Sequence, residues 1–481
     1  MRQRRGRVGL LGAVLLACAA TRAYPQETGR APGQPRAPAP VTTAAPPALA
    51  AVPPLSLDSA VALALATNPT VQGADAQVDR AAAAEMDARS AWLPSLSLDA
   101  GVTRYQLPMV ISPLHGLDLR NPPLFDHTLA QGGVSLGWTV FDAARGARNG
   151  RARALAGAAE SSADAIRLQL ISQVARAYLR VRTTREVLDA HERQVAALAG
   201  ERARAAKVFD QGRAARVTVL RAQAALAQAQ ADRESAALDA VLAERDLARL
   251  LGVPAEQVAG ATIPALRLRA AADSAPALPA RAQALDRALV SSPELAALRR
   301  QEQAARAGTA ESRALWLPRL QLVGRLAQYG SGAYAPSHEW QGGLQLSYPL
   351  FTGGARLAAG ERADADVRAA RATLAQAGLQ LESGVDQALA AVASAHARVA
   401  ALRTAVAQSE EVARIEKLSL DTGSGVQTDY LTAEAQLLGV RASLTEAHAA
   451  EAAARIELAR VTGELSRDWL RANLDGAESE R

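Results

Sequence analysis

The stretch WLPSLSLDAGVTRY, Trp92 to Tyr105, returns 224 positions later as WLPRLQLVGRLAQY, Trp316 to Tyr329. Nothing else in the chain constrains its fold as much, because a repeat of this kind means that one structural unit is built twice and packs against its own copy. At the same offset Asn68-Pro69 faces Ser292-Pro293, and Arg89 faces Arg313. At an offset of 210, QGGVSLGWTVFD from Gln131 faces QGGLQLSYPLFT from Gln341, so the first copy carries 14 additional residues between its two blocks. One residue then enters the second copy, where FDAAR becomes FTGGAR. From there an offset of 211 sets Arg145 on Arg356, Gly212 on Gly423, Leu220 on Leu431 and Leu226 on Leu437. Length changes of this sort belong in loops and turns. The first unit is placed at 55–278 and the second at 279–466, with a C-terminal tail at 467–481.

Each unit reads as a short helical segment, two strands and two long helices. The strands are predicted at about 94–105 and 131–141, and again at about 318–329 and 341–351, from alternation with a period of two. Leu96, Leu98, Ala100 and Val102 oppose Ser95, Ser97, Asp99, Gly101 and Thr103, and Val134, Leu136, Trp138 and Val140 oppose Gly133, Ser135, Gly137 and Thr139. In the second copy Leu320, Leu322 and Leu326 oppose Arg319, Gln321 and Arg325, with Val323 breaking the pattern, while Leu344, Leu346, Tyr348 and Leu350 oppose Gly343, Gln345 and Ser347. Strands of about ten residues cross a bilayer when tilted. Eleven of the sixteen aromatic residues fall within Trp92–Phe141 and Trp316–Phe351, as girdles at two lipid interfaces would require. A half-buried sheet in a soluble sandwich would alternate similarly, but the segments between the strand pairs read as long helices and not as further strands.

Those helices are predicted at about 144–209 and 218–251, and at about 354–420 and 429–461. Neither Ala144–Phe209 nor Gly354–Leu420 contains proline, and a helix of that length spans about 100 Å. Val174, Val181, Leu188 and Val195 recur every seven residues, as do Val385, Val392, Val399 and Val406, which predicts coiled-coil packing. The turns FDQGRAARV and LDTGSGVQT join each long helix to its returning partner in a hairpin.

Four strands cannot close a barrel, and an open sheet edge in lipid leaves backbone groups unpaired. Strands that span a membrane therefore require several copies of the chain. Two copies give eight strands and a filled interior; three give twelve and a lumen, which the polar faces favour.

The charge balance of +6 comes largely from the amino end, where Arg2, Arg4, Arg5 and Arg7 precede or border VGLLGAVLLACAA. Residues 1–23 thus read as an export signal. Without those four arginines 50 basic residues face 48 acidic ones, interleaved as on solvated helices, so a nucleic-acid partner is not expected. Leu15-Leu16-Ala17-Cys18 resembles a lipoprotein box that would make Cys18 a lipid anchor, the alternative being an ordinary cleavage site nearby. Residues 24–54, rich in Pro and Ala, read as a tether. No later stretch is apolar enough for a membrane helix.

In this order, duplicated, the segments resemble the TolC-type outer membrane efflux proteins of Gram-negative bacteria. They run from LSLDSAVALALATNPTV through LPSLSL, LGWTVFD, VARAYL, RDLARLLGV and LSYPLFTGG to ELARVTGEL. The resemblance implies a mainly α fold with a membrane β-barrel. A homotrimer would form a 12-stranded barrel in the outer membrane, continuous with a 12-helix periplasmic barrel. It also implies a passive duct for small molecules, fed by an inner-membrane pump through a periplasmic adaptor. The hairpin tips would meet the adaptor, here through Gly212, Arg213, Gly423, Ser424 and Gly425, and would close the periplasmic mouth. Asp429 matches a position where the family often places a constriction aspartate; Thr432 stands where a second acid can occur, and Thr218 and Arg221 are their first-copy mates. Asp429, or Thr428 beside it, is also a common helix N-cap. A duct for type I protein secretion is a narrower alternative, and a soluble periplasmic coiled-coil scaffold or adaptor is the alternative that never enters the membrane. No cofactor, metal site or catalytic residue is expected. His115, His127, His191, His338, His396 and His448 lack ligand spacing, the helical ones read as solvated, and neither a phosphate-binding loop nor a nucleophile elbow occurs.

Overall fold

The structure, a computed structural model, describes residues 55–107, 120, 127–264, 266–268, 278–331, 334–422 and 424–476. The expected export signal, the tether and Cys18 lie outside the described residues. The first unit comprises α1 (Leu57–Thr67), α2 (Pro69–Ser90), β1 (Ser95–Arg104), β2 (Thr128–Phe141), α3 (Ala144–Asp210), α4 (Arg216–Leu251), α5 (Ala255–Ala259) and β3 (Leu266–Leu268). The second comprises α6 (Arg281–Ser291), α7 (Pro293–Ala314), β4 (Arg319–Ser331), β5 (Tyr334–Ser347), α8 (Ala355–Asp421) and α9 (Gln427–Val461), followed by α10 (Arg467–Asn473) and β6 (Leu474–Gly476). The duplication is kept almost to the residue: α1 and α6 have 11 residues each, α2 and α7 have 22, and α3 and α8 have 67.

Local chemistry explains why the breaks recur. Asn68 accepts from the Thr70 amide at 2.8 Å and Ser292 from the Leu295 amide at 3.3 Å, each capping a helix whose first residue is proline. The residue before each cap carries a hydroxyl that reaches the far end of the hairpin: Thr67 donates to the Leu251 carbonyl, and Ser291 to the Thr462 carbonyl at 2.7 Å. Gly463, at φ +74°, ends α9 in a conformation that side chains resist, and a Cβ there would stand 2.2 Å from the Ser291 hydroxyl.

The main core lies where α1, α3 and α4 converge. Val61, Val174, Tyr178, Val181, Leu247, Leu251 and Ile456 are all buried there, and the Tyr178 hydroxyl donates to the Leu55 carbonyl at 2.8 Å. Along α4 the residues buried every seven positions are Ala222, Ala229, Ala236 and Ala243, so the two helices of the hairpin approach closely over methyl groups. Val174 and Val181 of the predicted heptad are buried, as are Val385, Val392 and Val399, whereas Leu188, Val195 and Val406 are only half covered. The histidines predicted as solvated are half-buried instead. His396 Nδ1 lies 3.1 Å from the buried carboxylate of Glu451, which also accepts from Arg455 at 2.6 Å.

All four long strands form one antiparallel sheet in the order β1-β2-β4-β5. Both hairpins keep one register, with Ser95 opposite Gly137 in the first and their repeat mates Arg319 and Ser347 opposed in the second. The strand predicted at 341–351 instead starts at Tyr334 and stops at Ser347; Pro349 has no amide to donate, and no described residue pairs beyond Ser347. The strand predicted at 131–141 starts earlier, at Thr128, where its ladder with β1 continues to Arg104.

Within the segment placed as the C-terminal tail, α10 and β6 return to the first unit. Asp58 of α1 accepts from Arg467 at 2.9 and 2.7 Å and from Arg471 at 2.9 Å, and β6 pairs antiparallel with β3. The hydrogen bonds from the guanidinium groups of Arg467 and Arg471 pull the Asp58 carboxyl down to about 2. Because its folded value is depressed, the stabilisation is full above the ordinary carboxylate range and is lost as pH falls toward 2. The substitution Asp58→Asn should therefore raise hydrogen exchange across Arg467–Asn473 several-fold at pH 7, and acidification of the wild type from pH 5 to pH 2 should approach the same state. Unchanged exchange in the variant would mean that packing alone holds α10.

Candidate functional site

The ladder sorts the sheet into two faces, because directly opposed residues project to the same side. Leu96 opposes Leu136, Leu98 opposes Val134, Val134 opposes Leu326, Trp138 opposes Leu322, Leu322 opposes Leu344, Leu320 opposes Leu346, and Leu326 opposes Trp340. These residues make one continuous apolar face across all four strands. It is bare: Leu96 is 72% exposed, Val102 73% and Trp340 77%. The opposite face carries Ser95, Ser97, Asp99, Gln131, Ser135, Thr139, Gln321, Arg325, Gln341 and Gln345, with Leu129, Val323 and Ala327 as apolar exceptions. On it Arg325 of β4 donates to Asp99 of β1 at 3.2 Å across the intervening β2. Among the described residues, the outer strands, β1 and β5, each have one edge without a partner.

Where sheet meets helix, each unit buries an arginine against a tryptophan. The Arg145 guanidinium lies 4.6 Å from the Trp92 ring and donates to the Thr139 carbonyl; Arg356 lies 4.3 Å from Trp316 and 5.9 Å from Tyr348, and donates to the Leu350 carbonyl at 3.2 Å. A stack of this kind contributes roughly 0.5–2 kcal/mol, less than the several kcal/mol that burying a guanidinium costs, so the carbonyl bonds are required as well. The Trp138 indole donates to the Trp92 carbonyl at 3.1 Å and ties the turn to the strand. Sequence reasoning paired Arg145 with Arg356 but missed this contact, although the signal was present: both arginines and both tryptophans survive the duplication at their own offsets.

Beside that junction β2 and α3 meet β4 and α7 through charge. Asp142 accepts from Arg148 and lies 3.5 Å from Arg319, while Glu311 lies 3.4 Å from Arg148 and 3.7 Å from Arg151.

At the far end, Gly212 at φ +71° and the exposed Arg213 turn the first hairpin. Gly423 lies outside the described residues. In the second turn the amides of Ser424 and Gly425 both donate to the Ser419 carbonyl, at 3.0 and 2.9 Å. The returning helices begin at Arg216 and Gln427, so Thr218 and Asp429 each occupy the third helical position, and Arg221 and Thr432 follow one turn later. Neither helix has a side-chain cap: Ala215 and Val426 stand at the cap positions, which corrects the assignment of that role to Asp429 or Thr428. The helix starts two residues early because Val426 already holds the extended conformation, at φ −109° and ψ 143°. Asp429 is exposed in the first turn, where the helix dipole favours its charge. Among the described residues no ion pair joins it to Arg221. Behind the tip, Arg204 of α3 lies 3.6 Å from Asp421 of α8 and 3.8 Å from Glu201. Next to them the Tyr430 phenol is pushed up to about 12, first by burial and then by the neighbouring charge of Glu434.

Among the described residues no helix is long and apolar enough to cross a membrane, and no group of three His, Cys, Asp or Glu residues is placed to hold a metal ion. The model of the family described as outer membrane efflux protein matches residues 60–253 and 284–464. The alkaline protease secretion protein AprF of Pseudomonas aeruginosa is 31% identical over 166 residues, a match that spans 34% of this chain and 34% of AprF. Among solved structures, a membrane protein from Pseudomonas aeruginosa is similar with a TM-score of 0.72 at 21% identity, covering 85% of this chain and 93% of its own. The CmeC outer membrane channel of Campylobacter jejuni is similar with a TM-score of 0.74 at 16% identity, covering 85% of each chain.

Replacing Arg145 by Ala removes the stack on Trp92 and leaves the Thr139 carbonyl without its donor. The variant should lose about 1–3 kcal/mol of stability, read as a lower melting temperature in detergent. Arg145→Lys should recover only part of it, since an ammonium lacks the planar face. Full recovery with Lys would show that charge alone matters there.

Proposed function

The chain belongs to the outer membrane efflux protein family, and from that premise we propose that three copies form a passive exit duct in the Gram-negative outer membrane. One observation carries this reading: a four-stranded sheet, bare on its apolar face and open at both edges, grows out of two helical hairpins. Hydrocarbon suits the bare face, and copies of the same sheet are what can satisfy the edges. Three sheets make a twelve-stranded barrel whose polar faces line a lumen, and six hairpins extend it through the periplasm as twelve helices. The duct does no chemistry of its own; a pump in the inner membrane supplies the energy and selects small-molecule cargo.

The hairpin tips at Gly212 and Arg213 and at Gly423, Ser424 and Gly425 would meet a periplasmic adaptor. Just inside them, three copies of Asp429 with Thr432, Thr218 and Arg221 would ring the mouth as a gate of mixed charge. The exposure of the Asp429 carboxylate at the start of α9 supports that role. A second reading, export of a protein instead of small molecules, is favoured by the partial similarity to a protease secretion protein. The two separate by complementation: the chain would restore either drug or metal tolerance, or protein export, to a host deleted for the corresponding channel.

Purified protein should therefore be trimeric by native mass spectrometry and should pass ions across planar bilayers. Asp429→Ala should raise single-channel conductance on the order of twofold by removing charge and bulk from the constriction. A conductance equal to wild type would dismiss the gate, and a monomer without conductance would dismiss the duct.

A further inference from the structure

We propose that the second hairpin is fastened by a proton: His396 of α8 and Glu451 of α9 form a clamp that tightens when the surrounding compartment turns acid, whereas the first hairpin holds a clamp that is charged at any physiological pH. The clamp lies within one chain, so it goes beyond the trimeric-duct reading and does not rest on it.

The duplication brings out the difference. In the first hairpin Arg185 of α3 lies 2.6 Å from the Glu244 carboxylate of α4, and it also donates to the carbonyls of Val258 and Ala261 at 2.9 Å each and of Ala259 at 3.2 Å. At the offset of 211 the mate of Arg185 is His396, and the mate of Glu244 is Arg455. The second hairpin nevertheless keeps a carboxylate between its helices, moved by one turn to Glu451, whose own mate is Ala240. His396 Nδ1 lies 3.1 Å from Glu451 Oε1, and Arg455 donates to the same oxygen at 2.6 Å. Arg455 and Glu451 share α9, so of these two contacts the one from His396 crosses between the helices. An arginine carries its charge at every physiological pH, while a histidine gains its charge on the acid side.

Burial decides what that proton is worth. Glu451 is 4% exposed, and away from water a charge pair attracts more strongly. Burial works against the Glu451 charge, but the hydrogen bonds from His396 and Arg455 outweigh it and hold the carboxyl below the usual carboxylate range, so it stays ionised in mild acid. A neutral imidazole offers this carboxylate an ordinary hydrogen bond at best. An imidazolium offers a charge-assisted one, roughly twice as strong.

The other charges nearby do not supply the same effect. On α9, burial and then the charge of Arg403 from α8 hold the His448 imidazole below the ordinary histidine range, with Glu451 opposing them, so a proton there is disfavoured. Arg398 of α8 and Glu446 of α9 are exposed. Along α3, which also packs on α9, Arg176 pairs with Glu457 at 3.0 Å, Arg180 lies 3.9 Å from Asp246 and Arg182 lies 2.7 Å from Glu186, so these charges are engaged away from Glu451. His396 is therefore the group through which acid acts on this hairpin, the one that carries Asp429 near its tip.

The test follows hydrogen exchange by mass spectrometry in the full-length, detergent-solubilised protein at pH 7.5 and pH 5.5, corrected for the intrinsic effect of pH on exchange. Peptides covering 390–402 and 445–458 should exchange several-fold more slowly at the lower pH, while those covering 180–190 and 240–250 should not change. His396→Gln, which leaves a neutral donor, should abolish the slowing; His396→Arg should be slow at both pH values; His448→Gln should respond as the wild type does. A wild type that does not slow overturns the clamp, as does slowing that persists in His396→Gln, vanishes in His448→Gln or appears equally in the first hairpin. A wild-type response to acid in His396→Arg overturns it too. Native mass spectrometry of the same samples reads the trimer separately, so failure of the clamp and failure of the duct are told apart.

Discussion

In hydrocarbon there is no water to accept or donate a hydrogen bond, so every peptide group on the rim of a sheet needs another peptide group. This requirement governs the chain. Its four strands satisfy one another internally and leave two rims, on β1 and β5, that no other strand among the described residues covers. The apolar face of the sheet is coherent from β1 to β5 because the two hairpins share one register, and a slip of a single residue in either would turn half of it inward. Duplication makes such coherence cheap to maintain, since the same turn and the same tryptophan set the start of each hairpin.

The helical part solves a different problem, which is to hold two very long helices side by side with few large side chains. Alanine at every seventh position of α4 brings the backbones close, and the larger residues gather where α1 and α3 meet α4. Toward the tip the packing thins to Ala413, Ala433 and Leu437, and charges take over, with Arg204 beside Asp421 and Arg441 bound to Glu410 at 2.7 Å. Exposed pairs of that sort contribute at most about 1 kcal/mol each. The tip is thus held by small side chains and exposed ion pairs, where the converging ends of α1, α3 and α4 are held by larger buried ones.

Much of this was legible in the residues because it follows from periodicity. The equal helices, the two faces of the strands and the short connections after α3 and α8 all come from spacing, which survives without knowledge of neighbours. What was not legible depends on partners far away in sequence. The end of β5 at Ser347 reflects the lack of a strand beside Pro349; the order of 467–476 reflects Asp58, some four hundred residues earlier; and the half-buried state of His396 reflects Glu451 on the facing helix. Likewise Asp429 has the composition of a cap and loses that role to Val426, because backbone conformation, and not side-chain preference, decides where α9 begins.

The clasp between α1 and α10 has a consequence for biogenesis. A chain is made amino end first, so Asp58 and β3 exist well before Arg467 and β6. The opening helix consequently waits, its carboxylate unmatched, until nearly the whole second unit has been delivered. Closing that latch joins segments some four hundred residues apart, with a very long loop behind it.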